Sequence, residues 1–96
     1  MRRDEALAIL AAHRDELREM GAGSLSLIGD ILHEDVGPES RIEVLVELSR
    51  PMGYFKFFDI QFAITGWLGQ EVFMVTPAEI PARDREMVLS EAAQAF

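Results

Sequence analysis

The segment Ile42–Leu48 constrains the fold of this chain more than any other part of the sequence. It reads Ile-Glu-Val-Leu-Val-Glu-Leu, so one set of alternate positions is entirely apolar, and the other set is Glu43, Leu45 and Glu47. Because successive side chains of a strand point to opposite faces, the pattern predicts a strand with one buried face and one partly buried face. Such a strand requires neighbouring strands and helices that cover its buried side.

The remaining apolar periodicity predicts helices and two more strands around this one. Helices are recognised by apolar residues at a spacing near 3.6, and strands by alternation or by short apolar runs between breakers. The predicted elements are a helix over 3–20 that ends at Gly21-Ala22-Gly23, a strand at Ser24–Ile28, a turn or short helix over 30–36, a helix over 54–68, a strand at Val72–Val75 and a last helix over about 82–94. This order predicts an α/β (α+β) fold, in which helices pack on a small mixed β-sheet of three or more strands. The length suits a single domain over residues 1–96.

Composition limits the classes of function. The chain is 49% hydrophobic, so it buries a core without staples, and it has no cysteine for disulfide or thiolate chemistry. The formal net charge of −8 disfavours direct nucleic-acid binding, because phosphates repel an acidic surface. The same charge suits a basic protein partner, or serves solubility alone. No signal peptide or membrane-spanning run is visible, so we expect a cytoplasmic protein without membrane contact.

Four stretches of the chain resemble one family in register. A glycine turn follows the first predicted strand, and Ser40-Arg41-Ile42-Glu43 opens the second. Together they resemble the signature Phe-Gly-Ser-x-Ala-Arg-Gly, a short spacer, then Ser-Asp-Ile-Asp-Leu-Leu-Val, of the minimal nucleotidyltransferases, small relatives of DNA polymerase β. The matching scaffold positions are Gly29, Ser40, Ile42, Leu45 and Val46. The other three stretches are Pro51–Phe57, similar to the family's Pro-x-Gly-x-Phe, Leu68–Thr76, similar to Leu-Gly-x-x-Val-Asp-Leu-Val-Thr, and Arg85–Ala92, similar to the closing Ile-Leu-x-Glu-Ala.

The resemblance implies a reaction whose chemical residues are mostly replaced here. Members transfer a nucleoside monophosphate from a nucleoside triphosphate to an acceptor, with two divalent metals held by three Asp residues. Those positions are Arg41, Glu43 and Phe73 in this chain, so Glu43 is the one acidic residue kept and the candidate catalytic residue. A permanent guanidinium repels a metal, and a phenyl ring offers no oxygen. No metal and no cofactor is therefore expected, and Mg²⁺ and ATP would bind only at an active site.

The nucleotide-binding positions that the resemblance implies are Gly29, Asp30 and Ser40, and we interpret them as vestigial. Asp30 stands where the family has the Ser of its Gly-Ser turn, and a carboxylate repels triphosphate oxygens. Two arrangements of the nearby charges remain open. Arg41 either occupies the place of the metal and pairs with Glu43 or Asp30, or a set of carboxylates gathers in one pocket and rescues a metal site. That set is Asp30, Glu34, Asp35 and Glu43, and the alternative is that they are solvated loop charges.

The predicted middle helix is apolar on two opposite faces. Its core stripe consists of Phe57, Ile60, Ile64, Trp67 and Leu68, whereas Phe55, Phe58, Phe62 and Gly66 share the opposite face. One sheet covers only one of these faces. The second is either covered by the first or last helix of the same chain or forms an interface with another molecule. We predict an interface through Phe55, Phe58 and Phe62, in a homodimer or with a different protein.

Three functions follow from these features. The first is a catalytically degenerate protein, a pseudoenzyme that acts by binding. Many prokaryotic members of the resembled family pair with a HEPN-domain protein and act as antitoxins, and some modify that partner with AMP. The second is an active nucleotidyltransferase that modifies a protein acceptor, with Glu43 and nearby acids in a rearranged Mg²⁺-dependent site. The third is an obligate homodimer without chemistry. Binding of nucleoside triphosphate with Mg²⁺ would distinguish the second from the others.

Overall fold

The computed structural model describes residues 1–96 and contains four helices, four strands and two short 3-10 turns. The helices are α1 (Arg3–Ala12), α2 (Arg14–Met20), α3 (Tyr54–Leu68) and α4 (Ala82–Glu91). The strands are β1 (Ala22–Ile28), β2 (Ile42–Leu48), β3 (Val72–Val75) and β4 (Ala93–Gln94), and the turns are Gly29–Leu32 and Pro77–Glu79. The predicted bounds of β2, α3 and β3 are confirmed, because breakers flank each of these periodic segments. None of the helices is long and apolar enough to cross a membrane.

The strands form one mixed sheet in the order β3-β2-β1-β4. β1 is antiparallel to both β2 and β4, and β2 is parallel to β3. A parallel pair requires a crossover connection, and α3 provides it between β2 and β3. The predicted small mixed sheet with helices packed on it is therefore confirmed.

The last predicted helix is shorter than expected and is followed by a strand that the sequence did not indicate. α4 ends at Glu91, and Ala92 is already extended, with φ −55° and ψ 135°. In β4, Ala93 pairs with Leu27 and Gln94 with Ser26. A two-residue strand of Ala and Gln has no periodicity of its own. It forms because the free edge of β1 offers hydrogen-bonding groups that the chain end satisfies.

The predicted first helix is divided in two at His13. The N–H of His13 donates to Leu10 O over 3.2 Å, an i→i−3 bond that tightens the chain there and separates α1 from α2. The imidazole stacks on the Trp67 ring of α3, with centroids 3.8 Å apart and planes 3° from parallel. Leu10 before the break and Leu17 after it are both fully buried. The bend therefore accompanies the docking of two short helices against α3 and the sheet.

The turn between α2 and β1 consists of one residue, Gly21. Gly21 has φ 111°, the left-handed conformation that ends a helix, and the strand begins immediately afterwards at Ala22. This start is two residues earlier than predicted. The register of β1 against β2 shifts between Ala22 and Ser24, so the next glycine, Gly23, lies in a bulge inside the strand.

The core lies between one face of the sheet and helices α1, α2 and α3. Its largest fully buried side chains are Leu10, Leu17, Leu25, Leu27, Ile42, Val44, Val46, Ile60 and Ile64. The predicted core stripe of α3 is confirmed, because Ile60, Ile64 and Leu68 are buried and the rest packs against the cluster. The opposite sheet face carries the other alternate residues of β2, and there Leu45 is buried. No residue of α4 is buried, so this helix lies at the periphery.

Candidate functional site

The open face of the sheet brings together three residues that are separated in sequence. Glu43 of β2 is the register partner of Phe73 in the parallel strand β3. Arg41 lies two residues before Glu43, so alternation directs its side chain to the same face. The three positions at which the resembled family carries metal-binding Asp residues are therefore neighbours in space, and this chain fills them with a cation, a carboxylate and a ring.

Arg41 and Phe73 contact each other directly. The guanidinium carbon of Arg41 lies 4.6 Å from the centroid of the Phe73 ring, within the range of a cation–π interaction. Arg41 makes no ion pair with either candidate acid, so the predicted pairing with Glu43 or Asp30 is wrong. The two side chains do not meet because that of Arg41 points towards β3, whereas that of Glu43 points towards β1.

The Glu43 carboxylate lies against the backbone of the turn after β1. Ile28 is its register partner, and the following residue, Gly29, has φ 81°. A Cβ on Gly29 would collide with Oε2 of Glu43 and would lie 3.0 Å from its Cδ. The turn requires glycine for its backbone conformation, and a Cβ there would also force the Glu43 carboxylate to move. The half-buried Glu43 side chain fills the space beside this turn.

The other predicted nucleotide-binding residues, Asp30 and Ser40, are exposed. The backbone oxygen of Asp30 accepts from the N–H groups of His33 and Glu34, which closes the 3-10 turn. Ser40 lies in the loop before Arg41, and its backbone oxygen accepts from Nε2 of Gln70 over 2.8 Å. The same Nε2 donates to Gly37 O over 3.1 Å, so Gln70 positions the loop that leads into the site. Sequence reasoning missed Gln70, since a glutamine that follows a helix-ending glycine has no pattern that distinguishes it.

The carboxylates near the site are dispersed rather than gathered. Asp30, Glu34 and Asp35 are exposed, and Asp35 pairs with the N-terminal ammonium group over 3.0 Å. No group of three His, Asp or Glu side chains in the structure is arranged to hold a metal ion. Mg²⁺ requires several oxygen ligands in a near-octahedral arrangement. The residues present, with Arg41 and Phe73 beside the single carboxylate of Glu43, do not fit such an ion.

An apolar groove adjoins Phe73 on the side of α3. It has a volume of about 530 Å³, and its lining includes Tyr54, Phe57, Phe58, Phe73 and Met74. Three of these rings pack on one another, since the centroids of Phe57 and Phe58 are 5.9 Å apart and those of Tyr54 and Phe58 are 6.3 Å apart. Gln61 closes one wall, because its Oε1 accepts the N–H of Met74 over 3.1 Å. This bond satisfies an outward-facing donor of the edge strand β3 and leaves fewer groups for another strand to pair with.

The predicted interface residues lie on the solvent side of α3. Phe55 is 89% exposed, Phe62 is 75% exposed and Phe58 is 44% exposed. The alternative that the first or last helix of the same chain covers this face is wrong. α1 and α2 pack on the other side of α3, and α4 lies at the periphery. Aromatic rings exposed together in this way are a feature of contact surfaces between molecules.

Comparisons with known proteins identify the fold. A protein provisionally identified as a minimal nucleotidyltransferase superposes with a TM-score of 0.80 and 24% identity, over 96% of this chain and 94% of that one. A mutant of the toxin–antitoxin complex MntA–HpeT contains a chain that superposes with a TM-score of 0.67 and 14% identity, over 100% of this chain and 73% of that one. No family model and no curated protein matches the sequence. The chain thus has the minimal nucleotidyltransferase fold that its motifs resemble.

Proposed function

We propose that this protein acts by binding another protein and that its nucleotidyltransferase-like site is catalytically degenerate. The observation that carries the proposal is the contact between Arg41 and Phe73 at the positions where the resembled family holds its metals. Groups that act as a unit in catalysis fail together when several are replaced. Two of the three ligand positions lack a carboxylate here, and the third holds a Glu in place of Asp.

Electrostatics supports this proposal. A guanidinium about 5 Å from a divalent cation repels it by about 2 kcal/mol even at the dielectric constant of bulk water, and by more beside a protein surface. The single carboxylate of Glu43 offsets only part of this repulsion. The exposed carboxylate of Asp30 in the glycine turn adds repulsion towards triphosphate oxygens. Binding of Mg²⁺ with a nucleoside triphosphate is thereby disfavoured on both the metal side and the phosphate side.

The exposed aromatic face of α3 and the acidic balance of the chain support a role in protein binding. One structural neighbour is part of a toxin–antitoxin complex, and the resembled family includes antitoxins of HEPN-domain proteins. We infer an antitoxin-like role for this chain, with a HEPN-type partner or a second copy at Phe55, Phe58 and Phe62. A net charge of −8 would accelerate encounter with a basic partner.

The test is a calorimetric titration of the purified protein with ATP, with and without Mg²⁺. We expect no binding in either condition, because the site repels both the metal and the triphosphate. Micromolar binding that requires Mg²⁺ would contradict the proposal and would favour the alternative, an active nucleotidyltransferase that transfers a nucleoside monophosphate to a protein acceptor.

A matched pair of variants shows whether any observed binding of ATP occurs at this site. Glu43→Gln removes the one carboxylate kept at the three ligand positions, and Glu47→Gln removes an exposed carboxylate on the same face of β2. Binding that is lost only in Glu43→Gln would belong to the site and would contradict the proposal in favour of the alternative. If the heat of binding is unchanged in both variants, or is absent in both, it reflects non-specific association. The protein-binding proposal would then stand.

A further inference from the structure

The exposed face of α3 has the spacing of a helix–helix seam. Phe55, Phe58, Phe62 and Thr65 recur at intervals of three and four residues, and Gly66 adjoins the last of them. The seam is uneven along its length. Its N-terminal end carries the large rings of Tyr54, which is 81% exposed, and Phe55, whereas its C-terminal end carries the smaller Thr65 and Gly66. Phe58 and Phe62 lie between the two ends. A partner surface that matches the seam must therefore be small opposite its N-terminal end and large opposite its C-terminal end.

Gly66 has no explanation within the chain. It lies inside the 15-residue helix α3, where glycine lowers helix stability relative to alanine. The absence of a side chain at a glycine allows a neighbour to approach the helix backbone closely. Here a Cβ on Gly66 would meet no heavy atom within 4 Å, so no part of the same chain requires the missing side chain. A molecule that packs closely against the exposed face of α3 would explain why this position has no side chain.

We propose that the occupant of this seam is a second copy of the chain, packed with the two α3 helices antiparallel. When the two-fold axis lies midway between Phe58 and Phe62, Phe58 of one copy faces the partner's Phe62. Tyr54 then faces the partner's Gly66, and Phe55 faces the partner's Thr65. Each large ring at one end of the seam meets a small residue at the other end. An isologous contact of this kind requires a self-complementary surface, and the seam is one.

The available area approaches what a stable dimer needs. At about 150–250 Å² for a whole aromatic side chain, the exposed parts of the four aromatic residues correspond to roughly 600 Å² of apolar surface. A standard interface buries about 800 Å² on each partner. In the proposed dimer, the backbone around Gly66 and the neighbouring polar side chains would have to supply the remainder. This surface is also at the upper limit of the apolar patches that monomeric proteins expose.

The charges on α3 favour a second copy over a strongly basic partner. The helix carries one cation, Lys56, and one anion, Asp59, so the seam itself is neutral although the chain is acidic. A surface that had adapted to a basic protein would place acidic residues around its apolar centre. This inference rests on the proposed function in one respect, namely that the aromatic face of α3 is a protein interface.

The test is the solution mass of the full chain by light scattering and sedimentation equilibrium, from micromolar to millimolar concentration. We expect a reversible dimer. Phe62→Ala should raise its dissociation constant about tenfold or more, as truncation of a central aromatic anchor does. Leu89→Ala is the control, because Leu89 is 42% exposed but lies on α4, and it should leave the constant unchanged. A monomer at all concentrations, or equal weakening by both variants, would overturn the inference.

A second variant separates assembly from folding. Gly66→Gln should raise the thermal unfolding midpoint of the monomer, because it places a good helix former where the chain leaves open space. It should nevertheless weaken the dimer, because its side chain would collide with the partner's Tyr54. A variant that folds more stably and dimerises as well as the parent would overturn the proposed packing. ATP binding reports separately on the degenerate site, so a dimer that binds Mg²⁺ and ATP would contradict the loss of catalysis and not the seam.

Discussion

At the scale of single residues, the site is organised by the direction in which two side chains of β2 lean. Glu43 lies against the turn after β1, and Arg41 lies on the ring of Phe73 in β3. An exposed ion pair and an exposed cation–π contact have similar energies, each at most about 1 kcal/mol. Residue type therefore did not decide the partner of Arg41. The strand order, with β1 on one side of β2 and β3 on the other, separated the two charges.

Gly29 is the residue at which the strongest local effect is expected. Gly29→Ala should lower the free energy of unfolding by about 1–2 kcal/mol, because φ 81° is strained for alanine and the new Cβ displaces the Glu43 carboxylate. Urea unfolding measures the change. Gly37→Ala is the matched control, since a Cβ there meets nothing within 4 Å and its φ is not positive. If both substitutions had the same effect, neither the backbone conformation of Gly29 nor its contact with Glu43 would constrain this turn.

At the scale of secondary-structure elements, the smallest strand completes the sheet. The N–H of Ala95 donates to Leu25 O over 2.8 Å, and Leu25 N–H donates to Phe96 O over 3.3 Å. Phe96 is half-buried against the core, and the Arg18 guanidinium lies 5.4 Å from its ring centroid. The chain after α4 thus protects the outer edge of β1, although its residues have weak strand propensity.

A proline substitution tests how much this edge contributes. Ala95→Pro removes the shorter of two bonds to Leu25 O and leaves the N–H of Phe96, which donates to the same oxygen over 3.4 Å. It should lower the free energy of unfolding by about 0.5–1.5 kcal/mol, the net contribution of one hydrogen bond. Gln94→Pro is the control, since alternation along an antiparallel strand directs the N–H of Gln94 away from β1. The ring constrains φ in both variants, but Gln94→Pro also removes the bond from Nε2 of Gln94 to Phe96 O. A greater loss of stability in Ala95→Pro than in Gln94→Pro would therefore be a lower bound on the contribution of the backbone hydrogen bond. An Ala95→Pro variant with the urea midpoint of the parent would show that the chain end contributes nothing through this bond.

At the scale of the whole molecule, net charge and the exposed apolar seam have opposite effects on self-association. The radius of gyration is 12.4 Å, and the shortest extent is 21 Å, as expected for helices packed on one side of a sheet. Each copy carries a formal net charge of −8, whereas the seam on α3 is neutral. The proposed self-association would therefore join two mutually repelling bodies through an apolar contact.

This balance predicts the sign of the salt dependence. Dimerisation through α3 should become tighter as NaCl rises from about 0.1 M to about 1 M, because the Debye length falls from about 10 Å to about 3 Å and the repulsion is screened. Sedimentation equilibrium at several salt concentrations measures the dissociation constant. Association with a basic protein through charge complementarity would show the opposite trend. A dimer that dissociates as salt is added would contradict an apolar seam.

Much of the fold was predictable because its information is local. The bounds of β2, α3 and β3 follow from periodicity and flanking breakers, and the motif around Gly29 and Ser40 identified the fold that the comparisons show. The errors occurred where an element has no period of its own. The bend at His13 accompanies the stacking of this residue on a ring of α3, and β4 pairs with the edge of β1.

The sequence by itself determined which residues occupy the three ligand positions, and that α3 is apolar on two faces. Only the tertiary structure decided that Arg41 lies on Phe73, that the nearby carboxylates stay apart, and that no helix covers Phe55, Phe58 and Phe62. The physical reason is the range of the interactions involved. Periodicity and turn preferences act within a few residues, whereas the partner of a side chain is decided by strand order and helix placement, to which the whole chain contributes.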